Sequence, residues 1–203
     1  EVAIQESIFT KFGTDRILRY AFDLCKQLGL EKVTSATKSN GIIHTMPYWD
    51  ERFSVIAEEY PMLTTDQYHI DILTANFVLH PDWFDVVVGS NLFGDILSDL
   101  GPAVAGSIAI AASAIINPDG DLPSMFEPVH GSAPDIAGKG IANPIGQIWS
   151  GSMMLEHHGY KEAADEIVRA IEEVISEGGP KTPDLGGQAN TKELGQAIAD
   201  SIS

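Results

Sequence analysis

The sequence predicts an α/β fold, and three observations carry that prediction. Short strand-like runs occur at residues 1–5, 32–36 and 85–88, the last of them written Asp-Val-Val-Val. Amphipathic helical patterns separate these runs. Alternation of strand and helix is typical of a parallel or mixed sheet, with functional sites at the ends of its strands.

Glycine, proline and capping residues mark the ends of the predicted helices. Gly29, Pro61 and Pro81 each stand where an apolar helical pattern stops, since glycine suits a helix end and proline cannot continue a helix. The turn Gly89-Ser90-Asn91 after the third strand predicts a helix that opens near Leu92. In chain order, helices are predicted over residues 14–28, 47–60, 66–79, from Leu92 onward, 145–157, 161–177 and 192–203.

The character of the chain changes after Pro102. Small residues dominate to Ala114, and a loop rich in glycine and proline follows at residues 123–144. We therefore expect two parts, residues 1–106 as a central α/β domain and residues 107–203 as part of a second α/β domain.

The composition excludes several classes of partner. A net charge of −17 argues against binding to nucleic acid or to anionic membranes, because both carry negative charge. The longest weakly charged segment, residues 101–117, is shorter than the roughly 20 apolar residues of a membrane span. A single cysteine, Cys25, excludes an internal disulfide and suits a reducing compartment, which predicts a cytoplasmic protein.

Two aspartates four residues apart, Asp95 and Asp99, are the first candidate site. They share one face of the helix predicted from Leu92, where like charges repel by roughly 0.2–0.5 kcal/mol. A cation between them would remove that repulsion, and hard carboxylate oxygens suit Mg²⁺ or Mn²⁺ better than zinc. The alternative is a solvated acidic face on an acidic protein.

The loop at residues 126–144 is the second candidate site, since ordered loops of this length are usually functional. It is neither a Walker A loop nor a G-x-G-x-x-G turn. Asp135 could accept hydrogen bonds from ribose hydroxyls and would repel a 2′-phosphate, which favours NAD over NADP. His130 could lie against an adenine or a phosphate, or be a structural loop histidine.

Two segments together carry a family resemblance, residues 90–99 (SNLFGDILSD) and residues 126–135 (FEPVHGSAPD). They resemble the β-decarboxylating 2-hydroxyacid dehydrogenases, the family of isopropylmalate, isocitrate, D-malate and tartrate dehydrogenases. The likeness extends from about Gln5 to Gly187. It implies an isopropylmalate dehydrogenase-like two-domain fold, present here only as its C-terminal portion, with a central dimer-forming, metal-binding domain followed by part of the cofactor-binding domain.

The resemblance assigns roles to individual residues. Asp95 and Asp99 match the family's metal aspartates, and Asp71 matches a third that reaches across the dimer interface to the neighbouring site. Lys38 matches the catalytic lysine, which is also supplied to the neighbouring subunit. The family's cofactor contacts match Asn40, Glu127, His130, Gly131, Ala133, Asp135, Ile136 and Asn143. Residues 183–187 match a further family segment near the adenosine side.

The activity implied is NAD-dependent oxidation, with β-decarboxylation assisted by Mg²⁺ or Mn²⁺, of a small anionic 2-hydroxy diacid. The expected assembly is a homodimer with shared active sites. Segments 5–10, 35–41, 46–50 and 69–73 look most like the tartrate and D-malate branch, and isopropylmalate dehydrogenase comes second.

The chain also departs from the family. Its members carry roughly another domain's length of N-terminal sequence, with the arginines that grip the substrate and a catalytic tyrosine, and these have no counterpart here. One rival interpretation is therefore a non-catalytic metal-binding and dimerisation fragment. A second rival is a structural α/β domain whose aspartates are surface charge.

Overall fold

A computed structural model describes residues 1–202 and confirms the α/β fold. The helices are α1 (Lys11–Gln27), α2 (Thr45–Ala57), α3 (Ile70–Leu79), α4 (Asn91–Ala105), α5 (Ile145–His157), α6 (Lys161–Ser176) and α7 (Thr191–Asp200). The strands are β1 (Lys32–Thr37), β2 (Thr64–His69), β3 (Val86–Val88), β4 (Ala112–Ile115) and β5 (Met125–Pro128). The predicted end of the last helix at Ser203 lies outside the described residues.

The chain divides into two compact units. The first runs from Glu1 to Leu97 and the second begins at Ser98, so the division falls inside α4. The boundary expected between residues 106 and 107 stays a prediction. Helix α4 itself continues through Pro102 to Ala105, beyond the point where the composition changes.

The first unit is built on a parallel sheet with strand order β2-β1-β3. The register of β1 pairs Thr37 with His69 on one side and Ser35 with Val88 on the other. Every residue of β1 after Lys32 is buried, as expected of a central strand. Helices α1 and α2 supply Leu18, Phe22, Trp49, Phe53 and Ile56 to the core of this unit.

Helix α1 begins earlier than its predicted first residue. The hydroxyl of Thr10 accepts a hydrogen bond from the amide of Gly13 at 3.1 Å, which caps the helix in front of Lys11. Gly29 follows the other end with a φ of +68°, the left-handed conformation that glycine adopts without strain.

Ion pairs join α1 to α2. The Arg52 guanidinium donates two hydrogen bonds to Asp15, at 2.7 and 2.9 Å, and both side chains are nearly buried. Arg19 of α1 also binds Glu59, which follows the end of α2, at 2.6 Å. The hydrogen bonds from Arg52 lower the pKa of the Asp15 carboxyl, so Asp15 stays ionised in the fold.

The sequence prediction is wrong at two places. The strand-like run at residues 1–5 forms no strand, and no helix forms at residues 66–69. They were expected to begin the third helix, but they belong to β2, and α3 begins only at Ile70. Strand β2 lies at the edge of the sheet, and its residues are either exposed or only partly buried. Backbone pairing with β1 therefore decides the conformation of β2. Its sequence lacks the alternation of apolar and polar residues that would predict a strand.

The second unit contains the antiparallel pair β4 and β5, which pairs Ser113 with Glu127. These strands fall where small residues and a loop were expected. Helix α5 packs on both strands and on α6. The buried core residues of this unit are Ile145, Ala170, Ile171, Val174, Leu194 and Ile198.

Gly146 in the first turn of α5 allows the helix to approach the strands closely. A Cβ there would lie 2.8 Å from the carbonyl oxygens of Ala109 and Ala111, and 3.2 Å from Cβ of Pro128. We expect Gly146→Ala to lower the free energy of unfolding by about 2 kcal/mol, because backbone atoms must move to admit the methyl group. Urea denaturation measures the loss.

Gly151, on the same helix, is the matched control. An added Cβ at Gly151 meets no atom within 4 Å. Gly151→Ala should raise stability by about 0.5–1 kcal/mol through helix propensity alone. Equal unfolding midpoints for the two variants would contradict the close approach.

No helix in the described part of the chain combines the length and the apolar character needed to cross a membrane.

Candidate functional site

The carboxyl edge of the β2-β1-β3 sheet gathers the first group of predicted site residues. Lys38 follows the last residue of β1, and Asp71 comes two residues after the end of β2. Helix α4 begins three residues after the end of β3. The carboxyl ends of parallel strands are where α/β proteins bind ligands, because the loops that leave the strands can vary freely there.

Lys38 and Asp71 meet at this edge. The Lys38 Nζ lies 2.7 Å from Oδ1 of Asp71, and the two side chains are 28% and 65% exposed. The hydrogen bond from Lys38 is the main reason that the pKa of Asp71 is lowered. Thus one chain presents an ammonium group and a carboxylate together, although 33 residues separate them in sequence.

Helix α4 follows β3, the neighbour of β1 in the sheet, and it presents two further carboxylates. Asp95 and Asp99 are both exposed and stand one helical turn apart, as the sequence predicts. Gly89 lets the start of α4 lie close to β1, since a Cβ there would be 3.3–3.4 Å from Gly94, Phe93 and Ala36. The helix therefore starts directly against the end of the central strand.

The three predicted metal aspartates do not form a cation site within one chain. Throughout residues 1–202, no three side chains of His, Cys, Asp or Glu lie close enough together to hold a metal ion. Asp95 and Asp99 are hard oxygen donors at helical spacing, which suits Mg²⁺ or Mn²⁺ if further oxygen ligands come from outside the chain. The donor chemistry fits the predicted metal, whereas a complete ligand set is absent from these residues.

Glu127 and His130 mark the beginning of the predicted cofactor loop. Glu127 is an exposed residue of β5, and its register partner is Ser113. Nδ1 of His130 lies 2.9 Å from the carbonyl oxygen of Gly131, a local contact that orients the ring. Gly131 and Asp135 are exposed, so their polar groups face solvent.

Ala133 holds the only left-handed backbone among the non-glycine residues that the structure describes, with a φ of +40°. Such a conformation is costly for a residue with a Cβ and concentrates at functional sites. A hydrogen bond of 3.0 Å from the amide of Ile136 to the carbonyl of Ala133 closes the turn. The strained residue thus lies in the middle of the loop that the sequence assigns to a cofactor.

Asn143 closes the loop and is itself buried, with 5% of its surface exposed. Its Oδ1 accepts from the amide of Ile145 at 2.9 Å, and its Nδ2 donates to Oδ2 of Asp184 at 2.9 Å. Ser107 donates to the same Asp184 oxygen at 2.6 Å. The Asn143 amide therefore joins the start of α5 to Asp184.

Asp184 is the centre of this polar cluster. Burial raises its pKa, but contacts from Ser107, Thr182 and Asn143 outweigh burial and hold the pKa below its usual value. The Thr182 hydroxyl is completely buried in this cluster, and its contact with the Asp184 carboxyl lacks the geometry of a regular hydrogen bond. The sequence pointed only to the segment 183–187 as a whole, and Ser107 carried no signal at all.

Thr191 adds a second anchor for the loop. Its amide donates to the carbonyl of Gly140 at 2.8 Å, and its hydroxyl donates to the carbonyl of Ala142. The carboxyl end of the predicted cofactor loop is thus held by side chains from the C-terminal segment of the second unit. Asn40, by contrast, lies exposed in the first unit, two residues after Lys38.

A cavity of about 720 Å³ in the first unit lies beside the end of β3. The segment from Gln5 to Thr10, the buried Trp49 and the start of α4 line it. None of the predicted catalytic, metal or cofactor residues lines this cavity. We therefore locate the candidate chemistry at the sheet edge, where the charged side chains are, and not in this space.

Comparison with known proteins agrees with the family resemblance. The isocitrate/isopropylmalate dehydrogenase family matches residues 1–198. Tartrate dehydrogenase/decarboxylase of Pseudomonas putida is 58% identical over 209 residues, and D-malate dehydrogenase (decarboxylating) of Escherichia coli K12 is 58% identical over 207 residues. Both alignments cover the whole of this chain but 57% of the relative, so the chain spans little more than half of their length.

A solved structure gives the same result for the fold. The crystal structure of isocitrate dehydrogenase from Methylococcus capsulatus superposes with a TM-score of 0.93 at 43% identity. The superposition covers 97% of this chain and 58% of that enzyme. The chain thus corresponds to one continuous portion of a larger dehydrogenase fold.

Proposed function

Because the chain belongs to the isocitrate/isopropylmalate dehydrogenase family, we propose that its parent protein oxidises a small 2-hydroxy diacid with NAD and decarboxylates the product. D-malate or tartrate is the proposed substrate, since the relatives named for these two diacids are each 58% identical to it. Isopropylmalate is the second candidate.

The observation that carries the proposal is the contact between Lys38 and Asp71 at the carboxyl edge of the sheet. A proton-exchanging amine and a metal-binding carboxylate are both needed next to the hydroxyl that is oxidised. Asp71 orients the Lys38 Nζ, which we assign to exchange a proton with the substrate hydroxyl. Asp95 and Asp99, on the neighbouring α4, supply carboxylates for the same type of site.

The proposed cofactors follow the donor chemistry. Asp95, Asp99 and an Asp71 from a second subunit would hold Mg²⁺ or Mn²⁺, and Asn40 with the loop from Glu127 to Asn143 would hold NAD. When bound, these groups supply charge stabilisation at the substrate oxygens and a hydride acceptor. Asp135 is exposed and anionic, so it favours a ribose with free hydroxyls over one that carries a 2′-phosphate.

We propose a homodimer with shared sites, since a single chain lacks a three-ligand cation site in its described residues. Exposed apolar side chains support an interface on α3 and the first part of α4. Ile72 is 50% exposed, Leu79 68% and Leu92 61%. Side chains of this size usually gain stability when a partner covers them. A free, buried Cys25 is compatible with the cytoplasmic location that we propose.

A second candidate is a non-catalytic metal-binding and dimerisation fragment. This candidate concerns the 203 residues taken alone, which cover 57% of the length of each relative. The two candidates differ in one respect, because only the first predicts turnover.

The proposed function is tested by NADH formation in the full-length gene product. D-malate, tartrate and isopropylmalate are supplied in turn, with Mn²⁺ or with a chelator, and with NADP in place of NAD. We expect turnover with one diacid that requires Mn²⁺ and prefers NAD. Asp95→Asn should abolish this turnover, whereas Asp82→Asn, at an exposed aspartate of the same unit, should not change it.

Two results would overturn the proposal. Absence of turnover with every diacid would remove the proposed activity of the parent protein. Turnover that the chelator leaves unchanged would remove the assigned role of the aspartates.

A further inference from the structure

A hydrogen-bond network behind the sheet edge converges on Asp50 of α2. Its Oδ1 accepts from the Thr37 hydroxyl at 2.5 Å and from Nε2 of Gln67 at 2.8 Å. Thr37 is the last residue of β1 and immediately precedes Lys38. Gln67 lies on β2, four residues before Asp71. One carboxylate oxygen therefore joins the two strands that end in the Lys38 and Asp71 pair.

The network extends into the core through Ser35. Gln67 Nε2 lies 3.3 Å from the Ser35 hydroxyl, which also accepts from Nε1 of Trp49 at 2.9 Å. Ser35 is completely buried, and Trp49 is 2% exposed. Trp49 and Asp50 are adjacent on α2, so this helix binds β1 at two successive positions and β2 at one.

These hydrogen bonds hold the end of β1, from which the turn that contains Lys38 begins. The carbonyl of Lys38 accepts from the amides of Gly41 and Ile42, at 2.9 and 2.8 Å, so a tight turn follows the lysine directly. Lys38 is thus held between that turn and Thr37, whose hydroxyl is fixed by Asp50. Displacement of a reacting group by about 1 Å can reduce a rate a hundredfold, so this anchoring matters for the chemistry.

We propose that Asp50 is a positioning residue, which acts through Thr37 and Gln67 to set Lys38 against Asp71. The expected effect of Asp50 on turnover rests on the proposed function. Its expected effect on the position of Lys38 does not. The role of Asp50 is to keep two strand ends in one geometry through its contacts with Thr37 and Gln67.

The same sheet offers a matched control. Thr34, also on β1 and completely buried, donates its hydroxyl to Asp66 of β2. This contact has the same chemistry and joins the same two strands, but Thr34 lies three residues before Thr37. Thr37→Val and Thr34→Val each remove one hydroxyl donor and keep the shape of the side chain.

The first experiment compares kcat and KM of these variants in the full-length gene product with the preferred diacid. We expect Thr37→Val to lower kcat about tenfold or more, with KM for NAD unchanged. Thr34→Val should leave kcat within about twofold. Asp50→Ala should behave like Thr37→Val, whereas Asp50→Asn retains Oδ1 as an acceptor and should restore most of kcat.

A second readout does not depend on catalysis. Hydrogen exchange, followed by mass spectrometry, should accelerate at the amides of Gly41 and Ile42 in Asp50→Ala and remain unchanged in Asp66→Ala. If the wild-type protein is inactive but this difference appears, the proposed function fails and the positioning of the Lys38 turn stands.

The inference is overturned if the Thr37 and Thr34 variants lose kcat equally. It is also overturned if Asp50→Asn loses as much activity as Asp50→Ala in an active enzyme. Equal rates of hydrogen exchange at the amides of Gly41 and Ile42 in Asp50→Ala and in the wild-type protein would also overturn the inference.

Discussion

Mixing a Lys38→Ala protein with an Asp95→Ala protein is expected to restore dehydrogenase activity that neither protein has alone. Each change should reduce turnover about 10²–10⁴-fold, because it removes the proposed proton-exchanging amine or a proposed metal ligand. If Lys38 serves the partner's site, a hybrid dimer contains one intact site. Random exchange between equal amounts makes about half of the dimers hybrid, so about a quarter of the wild-type activity should return.

The ion pair between Lys38 and Asp71 provides the control for this experiment. The two side chains meet within one chain at 2.7 Å, so both should serve the same partner site. A mixture of Lys38→Ala with Asp71→Ala should therefore recover nothing, since each site of the hybrid lacks one of the two groups. Recovery in this mixture, or none in the first, would contradict sites shared in the proposed way.

Phe22→Ala should cause the largest loss of stability among the changes considered. Phe22 of α1 is completely buried, and its ring stacks on Tyr60 at 4.9 Å and packs against Phe53 at 5.5 Å between centroids. Truncation to alanine removes these contacts and leaves a cavity that the surrounding rings cannot fill. We expect a loss of about 3–5 kcal/mol in the free energy of unfolding, measured by urea denaturation.

Phe12 on the same helix gives the comparison. It is 77% exposed, so Phe12→Ala should change the free energy of unfolding by no more than about 0.5 kcal/mol. A loss at Phe12 as large as that at Phe22 would show that exposure does not govern the two effects. In that case the stacking with Tyr60 could not be the cause.

The candidate site could be predicted from the sequence only in part. The spacing of Asp95 and Asp99 follows from their position on one predicted helix, and α4 places both on its exposed surface. The roles of Lys38 and Asp71 came from the family resemblance alone. Their contact depends on the parallel register that pairs Thr37 with His69, which neither local sequence contains.

Strands without an apolar pattern were the elements that the sequence failed to predict. Strand β2 consists of polar and aromatic residues at a sheet edge, and four of its six residues were assigned to a helix. Strands β4 and β5 are four residues long and are stabilised mainly by pairing with each other and by packing under α5. In all three cases, partners distant in sequence decide the conformation.

Local chemistry was sufficient for the long helices of the second unit. The sequence by itself determined α5 and α6 almost to the residue, because an apolar stripe and end signals within 20 residues specify a helix. Only the tertiary structure decided which polar groups meet, including Lys38 with Asp71, Asp50 with Thr37 and Gln67, and Asp184 with Ser107 and Asn143. Such contacts span 13 to 77 residues, and they exist only because strand pairing and core packing bring those segments within hydrogen-bonding distance.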